Sequence, residues 1–379
     1  MDFEFSDSQK QLKEEARRFL ASKSSIRAVR AVLDGRDSYD RALWAELATM
    51  GFLGTAIPEC YGGVGAGYLE LCAIAEEMGR ALAPVPFCSS IYLAAPMLLD
   101  LGTQAQKQAY LPKIAAGELI GCAAFLEGIG QPRAEAVVAT AKAERLTGTK
   151  LAVLDGDIAD IAIVLANEGD AENRMLSLFI VDLRKPGVSR SSLQTIDPTR
   201  SQARIDFADA PVERLGSPGE GWRYLMNAFD RAAILLAFEQ VGGAERALEM
   251  ARDYANERVA FGRPIGSFQA LKHKLTDMYI ATVLARSNAY FGAWTLSVDS
   301  PEICVAAAAS RLCASHAFQY CTTENCHVFG AMGFTWEADC HLFFRRARLL
   351  SLVIGGEQMW GDRLIERMHV MHGTVGHTR

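Results

Sequence analysis

The chain has 379 residues, half of them apolar and 22% charged, with a net charge of −6 and a pI near 5.7. That length suits two or three domains of about 150 residues each, and the composition supplies a core. The acidic balance and the lack of a Lys/Arg-rich block speak against a nucleic-acid binder, and no run approaches ~18 apolar residues, so no membrane span is expected.

The N-terminus, Met1 to Leu20, shows no basic-then-apolar export pattern. Nine cysteines form no C-x-x-C pair, which predicts free thiols and a cytoplasmic chain. Ser6-Asp7-Ser8-Gln9 reads as a capping box opening a helix with Leu12, Ala16, Phe19 and Leu20 at helical spacing. Further helices are expected over 40–51, 67–82 and 103–117. Between the first two of these lies a glycine-rich stretch from Gly51 to Gly67. Its spacing matches neither phosphate-binding motif, so it reads as a structural loop.

Residues 118–212 change character, with β-prone runs at 136–143, 162–166 and 176–181 broken by Gly148-Thr149, Gly156-Asp157 and Pro186-Gly187. A small antiparallel sheet or barrel is expected there. Long Ala/Leu-rich helices then follow at 221–258, 267–297 and 301–329, the pattern of a helix bundle. The predicted fold is mainly α with a middle β-barrel domain, divided at 1–117, 118–212 and 213–379.

Two segments carry the chemistry. Tyr254 to Met278 contains Arg258, Phe261-Gly262, Pro264, Gly266 and Phe268-Gln269. His327 to Glu337 contains Gly330-Ala331-Met332-Gly333-Phe334, and runs on to Arg345-Arg346. With Pro58-Glu59-Cys60-Tyr61-Gly62-Gly63 and Leu146-Thr147-Gly148-Thr149-Lys150, they closely resemble the acyl-CoA dehydrogenase family over essentially the whole chain. The resemblance implies a helical N-terminal domain, a middle barrel, a C-terminal four-helix bundle, and FAD held at a subunit interface. Arg258 matches the residue approaching the FAD pyrophosphate, for which a guanidinium fork is suited; a solvated helix-end charge is the alternative. Phe261 matches a residue beside the cofactor, Phe268 and Gln269 an adenine-side pair, and Gly330-Ala331 the backbone near the neighbouring subunit's cofactor. Gln269 is also a plain first-turn polar residue, and His327, where relatives carry glutamine, reads equally as a cofactor donor or a bundle histidine. Asp230 and Arg231 match positions that touch the CoA portion.

The family reaction needs a carboxylate to take the α-proton while the β-hydrogen leaves as hydride. Ile354 and Ala232 stand at the two positions where relatives carry it. Glu239, two helical turns (about 10 Å) beyond Ala232, is the candidate catalytic residue, with a buried interhelical partner as its other reading; Glu357 would need a shifted loop. Relatives also carry hydroxyl donors and a tryptophan around the flavin, where this chain has Leu126 to Arg133 and Ala152-Val153-Leu154. The losses fall on the flavin half of a shared site. They predict FAD-dependent α,β-dehydrogenation of an acyl-CoA by a homo-oligomer, dimer or tetramer, or by a hetero-oligomer with a paralogous subunit. The hetero-oligomeric form resembles the small subunit of bacterial two-gene dehydrogenases acting on bulky substrates such as steroid side chains. An electron-transferring flavoprotein is the expected acceptor. A catalytically silent subunit that completes a partner's FAD site, or an oxidase or monooxygenase of the same fold, are the alternatives.

Overall fold

The computed structural model describes residues 5–170 and 173–371; the outermost chain ends of the first and last predicted regions lie outside these. Helices come first: α1 (Asp7–Lys23), α2 (Ile26–Leu33), α3 (Arg41–Thr49), α4 (Tyr68–Arg80), α5 (Ala95–Leu101) and α6 (Gln104–Ala115). Strands follow: β1 (Gly121–Ala124), β2 (Thr140–Lys142), β3 (Arg145–Leu154), β4 (Ile161–Asn167), β5 (Leu176–Asp182), β6 (Val188–Leu193), β7 (Gln202–Pro211) and β8 (Glu213–Leu215). Long helices close the chain: α7 (Gly221–Glu257), α8 (Gln269–Ser297), α9 (Ile303–Phe329), α10 (Cys340–Leu350) and α11 (Glu357–Met371). The two-residue strands β9 (Val259–Ala260) and β10 (Arg263–Pro264) form a hairpin between α7 and α8. The chain divides into two compact units. One comprises the residues up to Ala21, Cys72–Ala83 and Ala233 onward; the other comprises Ser22–Leu71 and Pro84–Ala232.

The capping box is present. Ser6 N–H donates to Gln9 Oε1 at 2.9 Å and Gln9 N–H to Ser6 Oγ at 3.3 Å, so two helix-end donors are satisfied reciprocally. In the first unit, α4 and α7 meet backbone to backbone. A Cβ at Gly79 would fall 1.8 Å from the Glu239 carbonyl oxygen, and one at Gly242 would fall 1.8 Å from that of Glu76. Glycine in a helix interior is costly by itself, and here close approach requires it. Gly242→Ala should therefore lower stability by about 3 kcal/mol or more, read as a drop in the denaturation midpoint, because backbone and not a side chain must move.

Charges line the same crossing. Glu76, buried, takes Lys13 at 2.6 Å and Arg286 at 3.1 Å, while Arg17 holds Glu77 at 2.9 Å. Burial pushes the Glu76 carboxyl up, but Lys13 and Arg286 outweigh it and leave it below its usual range. A depressed carboxyl stabilises the fold above its unfolded pKa and loses that contribution as pH falls through the folded value. Glu76→Gln should accordingly flatten the acid limb of the stability–pH curve.

The second unit carries an eight-stranded sheet in the order β6-β7-β3-β2-β4-β5-β8, with β1 parallel to β4. β3 shifts register between Lys150 and Val153, and Ala152 there adopts φ +49°. The glycine-rich stretch folds into two 3-10 turns that spend their own donors. The N–H groups of Gly62, Gly63, Gly65 and Ala66 go to carbonyls of Glu59, Pro58, Ile57 and Thr55. Those amides are therefore unavailable to an anion.

Candidate functional site

In the first unit the two sequence motifs lie side by side. α7 ends one residue before Arg258, whose carbonyl accepts Ile265 N–H at 2.8 Å across the β9–β10 hairpin. One turn earlier, Tyr254 stacks on Phe329, with centroids 4.1 Å apart and planes at 12°. Phe329 immediately precedes Gly330, so the stack sets the Arg258 corner against the 3-10 turn Gly330–Phe334. Lys274 of α8 and His327 of α9 both reach Glu324, His327 Nδ1 at 3.4 Å. Tyr254, Phe329, Lys274 and Glu324 organise this corner without having been assigned any role from sequence.

Arg258 is exposed, and among the described residues its guanidinium has no ion pair or hydrogen bond. Phe261 sits at the hairpin with φ +55° and is 94% exposed. Its ring meets Phe268 edge-on at 6.1 Å, and the Arg263 guanidinium lies 4.2 Å from the Phe268 centroid. Gln269, in the first turn of α8, contacts His273 at 3.1 Å. His327 is half exposed rather than a buried bundle residue. Gly330 has φ +61° and ψ −139°, and a Cβ there would meet nothing within 4 Å; Ala331 beside it is exposed. A free guanidinium fork, an uncovered aromatic and an open glycine backbone fit the diphosphate side of a dinucleotide.

The expected base positions are different. Ile354 is fully buried and Ala232 likewise. Glu239 on α7, the candidate catalytic residue, is fully buried, with Oε1 3.6 Å from Nη1 of the equally buried Arg346 on α10. Beside it, Gln240 accepts from Arg311 at 2.9 Å and donates to Ser315 at 3.1 Å, and Arg311 also donates to the Leu350 carbonyl. These contacts join α7, α9 and α10 just before the segment carrying Ile354. Glu357 is exposed in the first turn of α11, where a carboxylate complements the helix dipole.

In the second unit, Asp230 is 2% exposed. Arg231 pairs with Asp100 and lies 5.9 Å from the Tyr68 ring. The loop that includes Leu126 to Arg133 is anchored by Glu127, which accepts Val138 N–H at 2.7 Å and Lys150 Nζ at 2.5 Å. Lys150 is fully buried and also donates to the Leu165 carbonyl at 2.5 Å, which explains its place in the Leu146–Lys150 motif. Glu127 is thus committed, and Ile129 beside it is exposed and apolar. Among the described residues no helix is long and apolar enough to cross a membrane.

Comparison with known proteins identifies the family of the chain. Residues 6–118 match the model of the acyl-CoA dehydrogenase N-terminal domain, and residues 219–369 that of the C-terminal domain. The chain is 33% identical to acyl-CoA dehydrogenase IpdE2 of Mycobacterium tuberculosis, over 89% of each chain. Butyryl-CoA dehydrogenase from Megasphaera elsdenii superposes with a TM-score of 0.90 at 27% identity, covering 97% of this chain and 100% of that one. A chain of the ChsE4-ChsE5 complex from Mycobacterium tuberculosis gives 0.87 at 27% identity, covering 99% and 100%. The protein belongs to the acyl-CoA dehydrogenase family of FAD-dependent oxidoreductases.

Proposed function

We propose that this chain is one subunit of a hetero-oligomeric, FAD-dependent acyl-CoA dehydrogenase, holding the diphosphate side of a shared cofactor while a paralogous chain supplies the base. The observation that carries this reading is the asymmetry of the site. Arg258 is intact and free to bind, whereas Ile354 and Ala232 are buried apolar residues and Glu239 is turned to Arg346. Arg258 would grip the diphosphate; Phe261, Phe268, Gln269, His327 and the Gly330-Ala331 backbone would line the rest of that half. Asp230 and Arg231 would meet the CoA portion of the thioester. When bound, FAD supplies the two-electron acceptor for the β-hydride. The α-proton needs a carboxylate near Cα, and in this reading Glu239 anchors α10 and the partner receives the proton.

Exposed apolar surface supports a second chain. Phe261, Phe334 at 77% and the α8 residues Tyr279, Ile280 and Leu284 are uncovered, apolar surface of the kind that a partner chain covers. The division at 117 and 212, a closed middle barrel, a four-helix C-terminal bundle and reoxidation by an electron-transferring flavoprotein belong to the same reading. Co-expression with a paralogous chain tests it: a mixed assembly richer in FAD per chain than this chain alone is expected. A stable, FAD-replete homo-oligomer that excludes the paralogue would end it.

A further inference from the structure

The β9–β10 hairpin reverses in two residues. Phe261 at φ +55° and Gly262 at φ +78° are both left-handed, as the favoured two-residue hairpin turn requires. Ala260 pairs with Arg263 and Val259 with Pro264, and the Ile265 N–H bond to the Arg258 carbonyl continues this ladder by one pair. Side chains alternate across a ladder, so Arg258, Ala260, Arg263 and Ile265 share one face. Arg258 and Arg263 are diagonal neighbours on it, about 7–8 Å apart along the backbone, and Ala260, beside both, adds only a methyl group.

Both guanidinia are exposed, and among the described residues neither has an ion pair or hydrogen bond to protein. Glu257, the nearest carboxylate along the chain, pairs with neither. Arg263 is nonetheless held in place. Its guanidinium lies over the Phe268 ring, 4.2 Å from the centroid, and the Phe261 ring braces Phe268 edge-on at 6.1 Å. A guanidinium stacked on an aromatic face keeps the N–H donors of its edge free.

We propose that Arg263 is a second phosphate-binding residue of this corner, gripping the diphosphate of FAD jointly with Arg258. The inference rests on the reading above, which puts the diphosphate at Arg258. Two unpaired cations about 7–8 Å apart lie within the ~10 Å screening length of 0.1 M salt, so they repel each other until an anion bridges them. A diphosphate carries a charge on each of two linked phosphates, and each guanidinium can donate to a different one. The stack on Phe268 orders one fork before the ligand arrives, which lowers the ordering cost of binding.

Equilibrium FAD titration at low and at high salt tests this, on the full-length chain with any paralogous chain it assembles with present throughout. Arg263→Met keeps an apolar cover on Phe268 and removes the charge. It should weaken FAD about 10-fold at low salt, and the loss should shrink at high salt, where the charge is screened. Arg263→Lys should recover part of the loss. Unchanged binding in Arg263→Met, or a loss equal at both salts and not recovered by lysine, would make Arg263 a mere cover for Phe268 and overturn the proposal. Provided Arg258→Ala still weakens FAD, that result leaves the diphosphate reading standing. Unchanged binding in Arg258→Ala would instead overturn the placement of the diphosphate at this corner, and the proposal with it.

Discussion

Arg346→Met should cost about 3–5 kcal/mol of stability, because it leaves the Glu239 carboxylate buried without the guanidinium that compensates it. Both partners are almost fully buried and 3.6 Å apart, so neither can turn to water when the other is removed. Replacing the two together, Glu239→Leu with Arg346→Met, should recover most of the loss, as exchanging a buried pair for apolar side chains of similar volume is often neutral. A double-mutant cycle on denaturation midpoints measures the coupling directly. A base free to titrate toward substrate would behave otherwise: Arg346→Met would then alter turnover more than stability, and the double variant would be inactive in the assembled enzyme.

Arg258→Ala should weaken FAD binding about 10- to 100-fold, the range expected for losing charge-assisted hydrogen bonds of ~1.5–3 kcal/mol. Arg258→Lys should recover only part, since an ammonium cannot present a bidentate fork. The unfolding free energy of the FAD-free protein should stay within about 0.5 kcal/mol of the parent, because the exposed guanidinium has no protein partner among the described residues. Equilibrium flavin titration and apo-protein melting therefore separate a ligand contact from a structural one. An equal loss in both would make Arg258 a surface charge of the fold.

The elements that could be read ahead share strong local signals. The capping box at Ser6 and the long runs of α7, α8 and α9 lie within a residue or two of expectation, because helical periodicity over many turns leaves few alternatives. The π-helical stretch Cys88–Ala94 is uniformly buried and has no periodicity to betray it. β6 is the opposite case: VSRSSL is almost wholly exposed, without the alternation that marks a half-buried strand. β3 contains Gly148 and buried Lys150, residue types that argue against a strand until the Glu127 and Leu165 partners are seen.

The candidate motifs were legible where they are local. Arg258, Phe261 and Gln269 sit on one corner, as do Gly330 and Ala331 on another, and each motif could be read as a string. That Tyr254 and Phe329 hold those corners together could not, since the stack joins residues from different helices. Glu239 shows the same limit from the other side. The sequence left it either a catalytic residue or a buried interhelical partner, and Arg346, which lies 3.6 Å from it, is more than a hundred positions away along the chain.

The most direct measurement is anaerobic flavin absorbance on this chain, loaded with FAD, as an acyl-CoA thioester is added with and without the paralogous chain. With FAD supplied, the chain alone should show no bleaching, bleaching should appear when the partner is present, and Glu239→Gln should leave that bleaching unchanged. Full bleaching by the unaccompanied chain, abolished by Glu239→Gln, would contradict a base supplied from outside it.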